Sequence, residues 1–423
     1  MAARSSTLTV RGRAFVAAGA TAVVCAILLD QRSLARIGVL VAALALVAVL
    51  VVRRSRYQLA LTRTVEPQLV GAGATSQVHL ELVNEGRRRT GLMLLEDTLP
   101  FVLGSHPRFV LPSVRPGERR TVTYQIRSDV RGRFPVGPMT VRLRDPFGLV
   151  EVVRAFHATV PVTVTPRTID LPAVPIAGAW TGSGDNRPRA FATGSAEDVT
   201  VREYRHGDDL RRVHWRSSAR SGELMVRREE QPWQSRATIF LDNRSSAHQG
   251  RGAASSLETA VSMAASVAVH LAQRGFIVRL VTAEGEDPSI PWHERSTSAN
   301  VLPLLEALAV VNLSHQAHLD TSWMGDSSRT GMLVGILGAM DDHDHEALRR
   351  MRLNGSNPMA VALDVGRWGT GRGQQLAQAG DAAATRLAGL GWRVVVAGPE
   401  DRLPRLWEDL AQRRTTAPKA GTP

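Results

Sequence analysis

Charged residues are missing from two stretches near the start of the chain, residues 14–29 and 37–52, sixteen positions each. As helices rising about 1.5 Å per residue, each would reach about 24 Å, a little short of a hydrocarbon core of about 30 Å. Flanking Arg side chains, with stems in lipid and heads in water, make up the difference. No small-residue cleavage site follows Leu29 before the second apolar run, which argues against a signal peptide and for a two-span hairpin within residues 1–56. From 57 to 165 the period changes to two: residues 77–82 and 121–126 alternate polar and apolar side chains. Turns at Asn84-Glu85-Gly86, Arg115-Pro116-Gly117 and Val136-Gly137-Pro138 punctuate these runs. About seven short strands in this stretch predict an immunoglobulin-like β sandwich.

Residues 166–196 are rich in Pro, Gly and Ser and predict a linker. From 236 onward, short apolar runs at 237–241, 276–281, 332–337, 359–363 and 392–397 alternate with helical patterns at 257–274, 301–310, 345–353, 374–390 and 403–412. This alternation predicts a parallel sheet covered on both faces, with ligands at the carboxyl ends of its strands. The fold class is therefore multidomain: a transmembrane helical hairpin, a β sandwich, a charged segment over 197–235, and a Rossmann-type α/β domain over 236–414. Residues 415–423 predict a disordered tail.

Composition adds a compartment argument. A net charge of +13 suggests a nucleic acid or an anionic membrane as partner. The excess is confined to the N-terminal part, with +4 over residues 1–52 and +8 over 53–170, beside the spans. Basic residues are almost all Arg, with a single Lys, a bias that a GC-rich genome explains better than selection for phosphate binding. Membrane lipids, and no nucleic acid, are the expected partner of this charge. Arg4, Arg11 and Arg13 precede the first span and Arg53, Arg54, Arg56 and Arg63 follow the second, against only Arg32 and Arg36 between them. The bias places both termini and the soluble domains in the cytoplasm of a multi-pass protein of the cell membrane. The lone cysteine, Cys25, excludes an internal disulfide and a thiolate-based zinc or iron–sulfur site.

The densest chemistry lies at residues 197–230, with eight acids and eight arginines. His206-Gly207 suggests a tight turn, Asp208 a helix cap, and Trp215 an anchor on a core. Arg202, Arg205, Arg211, Arg216 and Arg220 can pair with Glu203, Asp208 and Asp209 in a fixed network. Here the chain resembles the domain of unknown function 58 family, whose R-E-Y-x-x-G-D-D-x-R-x-x-x-W-x-x-x-A-R pattern stands as Arg202, Glu203, Tyr204, Gly207, Asp208, Asp209, Arg211, Trp215, Ala219 and Arg220. Asp145-Pro146-Phe147-Gly148-Leu149 also looks like that family. The resemblance implies a bacterial membrane protein whose C-terminal half is similar to von Willebrand factor A domains. It also implies partnership with a MoxR-type AAA ATPase, often beside transglutaminase-like membrane proteins, in assembly or maturation of envelope-associated complexes.

A von Willebrand factor A domain usually holds a divalent metal through D-x-S-x-S after its first strand, because carboxylate and hydroxyl oxygens suit Mg²⁺. Here that run is Asp242-Asn243-Arg244-Ser245-Ser246, so Asp242 and Ser246 match while Arg244 stands in place of the first serine. A guanidinium there would repel a cation and pair with Asp242, so Mg²⁺ is disfavoured and no cofactor is expected. Asp341 and Thr297 are the remaining candidate ligands. The acids at 341–346 read as capping of a helix N-terminus rather than a metal cluster. No phosphate-binding G-x-x-x-x-G-K-[ST] loop, G-x-S-x-G elbow, H-E-x-x-H or paired C-x-x-C is present. The expected function is a non-enzymatic, membrane-anchored adaptor. The alternative is a metal-dependent hydrolase using Glu203, Asp208 and Asp209, with His214 beside them.

Overall fold

The computed structural model describes residues 3–54, 58–145, 147–174, 201–204, 213–227, 236–285, 301–324, 331–354, 356–369 and 373–412. Contacts divide the chain into two units: residues 1–169 with 250–266 and 302–313, and residues 170–249 with 267–301 and 314–423.

The first unit opens with a strand, β1 (Ala3–Leu8), ahead of the helices α1 (Val10–Leu28) and α2 (Arg32–Arg54). Both helices are long and apolar enough to cross a membrane; α1 starts ahead of the uncharged stretch that predicted it, and α2 runs past both ends of its own. They meet along small residues seven positions apart: Gly19 and Ala26 are buried on α1, Gly38 and Ala45 on α2. A Cβ on Gly19 would lie 2.9 Å from the Ala42 nitrogen, and one on Gly38 2.9 Å from the Val23 nitrogen. Backbone approaches this close are how helices associate where no hydrophobic drive separates side chains from lipid.

After α2 come β2 (Leu59–Glu66), β3 (Leu69–Gly71), β4 (Thr75–Asn84), β5 (Met93–Asp97), β6 (Arg108–Leu111), β7 (Arg119–Arg127), β8 (Gly132–Val136), β9 (Met139–Arg144), β10 (Val150–Phe156) and β11 (Val160–Thr165). They form sheets in the orders β1-β10-β9-β5-β6, β2-β4-β7 and β3-β11-β8, antiparallel except for the β3–β11 pair. On β4, Ser76, Val78, Leu80 and Leu82 point inward at period two, and the last three make one core with Met93, Leu95, Ile126, Val141, Val152 and Val164. The region holds more strands than the alternation suggests, because β3 and β6 are too short to register a period. Residues 3–8, counted with the hairpin on sequence, instead form the edge strand β1, with Leu8 opposite Val150 and Ala3 opposite Ala155.

One ion pair is buried within this β core. Arg63 Nη2 donates to Asp97 Oδ1 at 2.6 Å, its Nη1 donates to the Val136 and Ala158 carbonyls, and the Tyr124 hydroxyl donates to Asp97 Oδ2 at 2.6 Å. Burial, then the hydrogen bond to Asp97, raises the Tyr124 phenol far above its usual range. On the loop after β7, Arg131 donates to Glu258 and to the carbonyls of Leu308 and Val311.

The second unit contains a small ribbon of β12 (Val201–Glu203) and β13 (Met225–Arg227) with α3 (Trp215–Ser221) between them. From there the chain runs β14 (Arg236–Leu241), α4 (Ser256–Gln273), β15 (Ile277–Thr282), α5 (Leu302–Val310), β16 (Met332–Leu337), α6 (Asp344–Asn354), β17 (Ser356–Leu363), α7 (Gly373–Gly389), β18 (Arg393–Ala397) and α8 (Leu403–Gln412). By contacts α4 as far as Ser266 and all of α5 fall in the first unit, α5 against β8 and β11. The five strands are parallel in the order β15-β14-β16-β17-β18. That order, second strand first, is doubly wound and reverses between β14 and β16. Such a reversal opens a crevice at the strand ends, the position where open α/β sheets take ligands.

Candidate functional site

The residues following β14 lie at this reversal. The Asp242 amide donates to the Ile336 carbonyl at 2.9 Å, extending the pairing of β14 with β16, and Asn243 Oδ1 accepts from the Ala283 amide just past β15. Asp242 and Arg244 are thereby drawn inside, 0% and 2% exposed. Arg244 Nε and Nη2 donate to the two oxygens of Asp242 at 3.0 and 2.9 Å, and Nη1 and Nη2 donate to those of Asp344 at 2.7 and 3.0 Å. The fork therefore makes two bidentate pairs at once, a geometry open to Arg and closed to Lys. Burial alone would lower the Arg244 pKa. The hydrogen bonds and charges of Asp242, then of Asp344, outweigh it and hold the guanidinium above its usual range.

Two buried carboxylates demand a cation, and here the chain supplies it. The Arg244–Asp242 pairing expected from sequence is present, and it extends to a carboxylate that sequence reasoning had assigned to capping alone. Asp344 does begin α6, and its Oδ2 accepts the Asp341 amide at 3.1 Å, but the carboxylate is turned toward Arg244. Asp341, the acid named as a ligand, is exposed, and its Oδ1 accepts the His343 amide at 2.9 Å. Ser246 is exposed on the turn after Arg244, and no hydrogen bond joins it to Asp242 among the described residues. Thr297 lies outside the described residues. Among them no group of three or more His, Cys, Asp or Glu side chains is arranged to hold a metal ion. His248 closes the site from one side, its Nε2 donating to the Asp242 carbonyl at 2.5 Å. Burial keeps its imidazole below the usual range.

The charged segment is built differently. β12 pairs antiparallel with β13, Arg202 opposite Val226 and Glu203 opposite Met225, and the Tyr204 amide donates to the Leu224 carbonyl at 2.7 Å. α3 is capped by His214, whose Nδ1 accepts from the Ser217 amide, and Ser218 Oγ accepts from the Met225 amide at 2.8 Å. Gly222, at φ +79°, ends the helix with the left-handed turn that suits glycine. Sequence reasoning made Trp215 the anchor. The structure corrects this: Trp215 is 71% exposed, and the buried side chains are the small Val213 and Val226. Among the described residues, two paired strands of three residues have too small a core to bury an indole. Ala219, Arg216 and Arg220 are exposed on α3, and among the described residues neither arginine has an ion-pair partner. Gly207, Asp208, Asp209 and Arg211, with Arg205, lie outside the described residues, so the expected network and the Asp208 cap do as well.

An apolar helical pair, a β sandwich and a doubly wound sheet whose strand-end site is locked by an internal cation define a multidomain protein with no exposed catalytic cluster among its described residues. Residues 200–354 match the family model described as Protein of unknown function DUF58, in agreement with the resemblance seen in the sequence. No curated protein matches the chain. Among solved structures, the CARDB domain of the PF1109 protein from Pyrococcus furiosus, in complex with di-metal ions, is 16% identical, with 26% of this chain and 93% of that one covered at a TM-score of 0.20. The putative ApaA protein from Bordetella pertussis is likewise 16% identical, covering 26% and 97% at 0.20. The C-terminal domain of wzt is 10% identical, covering 27% and 81% at 0.21. At such scores these likenesses carry no argument.

Proposed function

We propose that this chain is a non-enzymatic adaptor, anchored in the cell membrane by α1 and α2, that works with a MoxR-type AAA ATPase through its charged segment and a von Willebrand factor A-like sheet. The observation that carries the reading is the exposure of Trp215. The most distinctive segment of the chain holds its largest apolar side chain in water, on the same short helix as the exposed Arg216 and Arg220, which have no ion-pair partner among the described residues, and Trp with Arg is the composition of interface hot spots. The site at Asp242 supports the same reading, since a guanidinium that uses its donors on Asp242 and Asp344 leaves neither carboxylate free as acid, base or metal ligand.

Membrane anchoring is supported by the two apolar helices and by β1. A strand before α1 that pairs with β10, after α2, requires both ends of the hairpin to lie on one side. The arginine bias assigns that side to the cytoplasm. The test is affinity capture of the full-length protein from detergent-solubilised native membranes, with and without a non-hydrolysable ATP analogue. Nucleotide-dependent recovery of an AAA ATPase, lost in Trp215→Ala, is the expected result. Recovery of no ATPase under either condition would overturn the partnership.

A further inference from the structure

We propose that the end of the β domain from which both candidate spans depart is a docking surface for anionic lipid headgroups, with Arg87, Arg88 and Arg89 supplying charge and Leu92 and Phe147 entering the interface. The inference rests on the membrane reading above. Two loops meet at this end, and each is tied to a span by hydrogen bonds.

The first is the 145–149 turn, the D-P-F-G-L run singled out in the sequence. Asp145 shapes it: one carboxylate oxygen accepts the Val150 amide at 2.7 Å and the other the Phe147 amide at 3.1 Å. Thr9 then joins the turn to α1. Its hydroxyl donates to the Gly148 carbonyl at 2.6 Å while accepting the Gly12 amide at 3.1 Å as the helix cap, and its own amide donates to the Leu149 carbonyl at 2.9 Å. The Leu149 carbonyl sits where a Cβ on Gly12 would stand, so glycine is required at that position. The turn is thus fixed at the N-terminal end of the first span, Leu149 buried and Phe147 62% exposed.

The second is the 85–92 loop. β2 begins shortly after α2 ends, Leu59 pairs with Asn84, and the Glu85 amide donates to the Gln58 carbonyl at 2.8 Å, which puts this loop beside the exit of the second span. Asn84 holds it in shape by donating to the Arg88 and Val114 carbonyls at 2.8 and 3.0 Å. A Cβ on Gly91 would lie 3.0 Å from the Arg144 carbonyl, so the loop touches the start of the 145–149 turn. Arg108, Arg119 and Arg120 elsewhere on the domain, and Arg144 beside this end, each face a carboxylate. Arg87, Arg88 and Arg89 are exposed and have no such partner among the described residues. Three unpaired guanidinium groups and two exposed apolar side chains beside a membrane entry match an anionic leaflet, whose potential attracts juxtamembrane arginines and whose boundary layer takes apolar rings.

The single cysteine makes the test clean. The full-length protein is placed in nanodiscs of phosphatidylcholine alone or with one third phosphatidylglycerol. A nitroxide is attached either at Cys25 or at position 147 in a Cys25→Ala, Phe147→Cys variant. Depth is read from collision with oxygen against collision with a water-soluble nickel complex. The expected result is hydrocarbon depth at Cys25 in both lipids and interfacial depth at 147 in the anionic discs, with the latter label moving to aqueous values when Arg87→Glu, Arg88→Glu and Arg89→Glu are combined. An aqueous label at 147 with Cys25 in hydrocarbon overturns the docking surface alone. Equal insertion at 147 in neutral discs, unmoved by charge reversal, overturns the role of the arginines. An aqueous label at Cys25 overturns the membrane reading and the docking with it.

Discussion

Arg63 in the β core and Arg244 at the end of β14 have equally buried side chains, both 3% exposed, and the chain uses them differently. Arg63 meets one carboxylate and two backbone carbonyls, and the second oxygen of Asp97 is taken by Tyr124, so charge balances one to one. It joins β2 to β5 and to the segments around β8, which is a cross-link within a core. Arg244 meets two carboxylates, leaving one net negative charge in a crevice where open α/β sheets bind ligands. The first pair is closed by stoichiometry. The second is a ligand-type site whose cation is built into the chain.

The largest expected effects come from removing one charge from either group. Arg244→Ala leaves two buried carboxylates facing each other and should cost about 3–5 kcal/mol, the range for breaking a buried pair. Asp97→Ala strands a single guanidinium that retains two carbonyl acceptors, and should fall at the lower end of that range. Urea denaturation followed by circular dichroism ranks the two, and a larger loss in Asp97→Ala would erase the distinction between them. Arg244→Ser sharpens it, because the run from Asp242 to Ser246 then reads D-x-S-x-S. Mg²⁺ should restore part of the lost stability in that variant and none in the parent, by about 2.7 kcal/mol at a hundredfold excess over Kd. If Mg²⁺ leaves the variant unchanged, the view of Arg244 as an internalised cation is wrong.

A smaller effect should follow acidification. Burial holds His248 and His270 below the usual imidazole range, with the Arg274 charge adding to the effect at His270. Below the unfolded value of about 6.5 the unfolded chain takes up protons that the folded chain refuses, so it binds more protons and stability falls as pH decreases. The decline should begin near pH 6.5 and reach at most about 1.4 kcal/mol per pH unit per histidine until the folded value is passed. His248→Gln, which keeps a donor toward the Asp242 carbonyl without titrating, should flatten the slope. Denaturation midpoints from pH 7.5 to 5 that stay level in the parent would contradict this account.

The same two regions separate what is legible in the sequence from what is not. The strands of the α/β sheet appear as short apolar runs because both faces are buried, and β14, β16 and β18 lie within a residue of their expected limits. Only β17 departs further, beginning at Ser356 rather than at 359. By contrast β1 carries no readable period: its partner β10 lies more than a hundred positions away, and what joins them is backbone pairing. The seam of α1 and α2, Gly19 and Ala26 against Gly38 and Ala45, went unread, because an apolar run does not say which of its small residues will face another helix. At the strand-end site, Asp242 and Arg244 could be named from their order after an apolar run. Choosing Asp344 over Asp341 could not, because the acids at 341–346 are equivalent in composition and only the onset of α6 decides which one turns inward.

Trp215 yields the smallest stability effect and the sharpest functional one. Sequence reasoning makes it an anchor, and an anchor lost to alanine costs about 3–5 kcal/mol. The structure leaves it in water, and surface substitutions of this kind stay within about 0.5 kcal/mol. Trp215→Ala should therefore denature at the urea concentration of the parent while capturing less of its partner from solubilised membranes. Val226→Ala is the internal comparison, since Val226 is the buried side chain of the same ribbon and its truncation should loosen β12 from β13. If Trp215→Ala loses as much stability as Val226→Ala, the indole is a packing group and the contact surface must be sought elsewhere. If only Val226→Ala is destabilised and only Trp215→Ala loses capture, fold and function have been separated across one short helix.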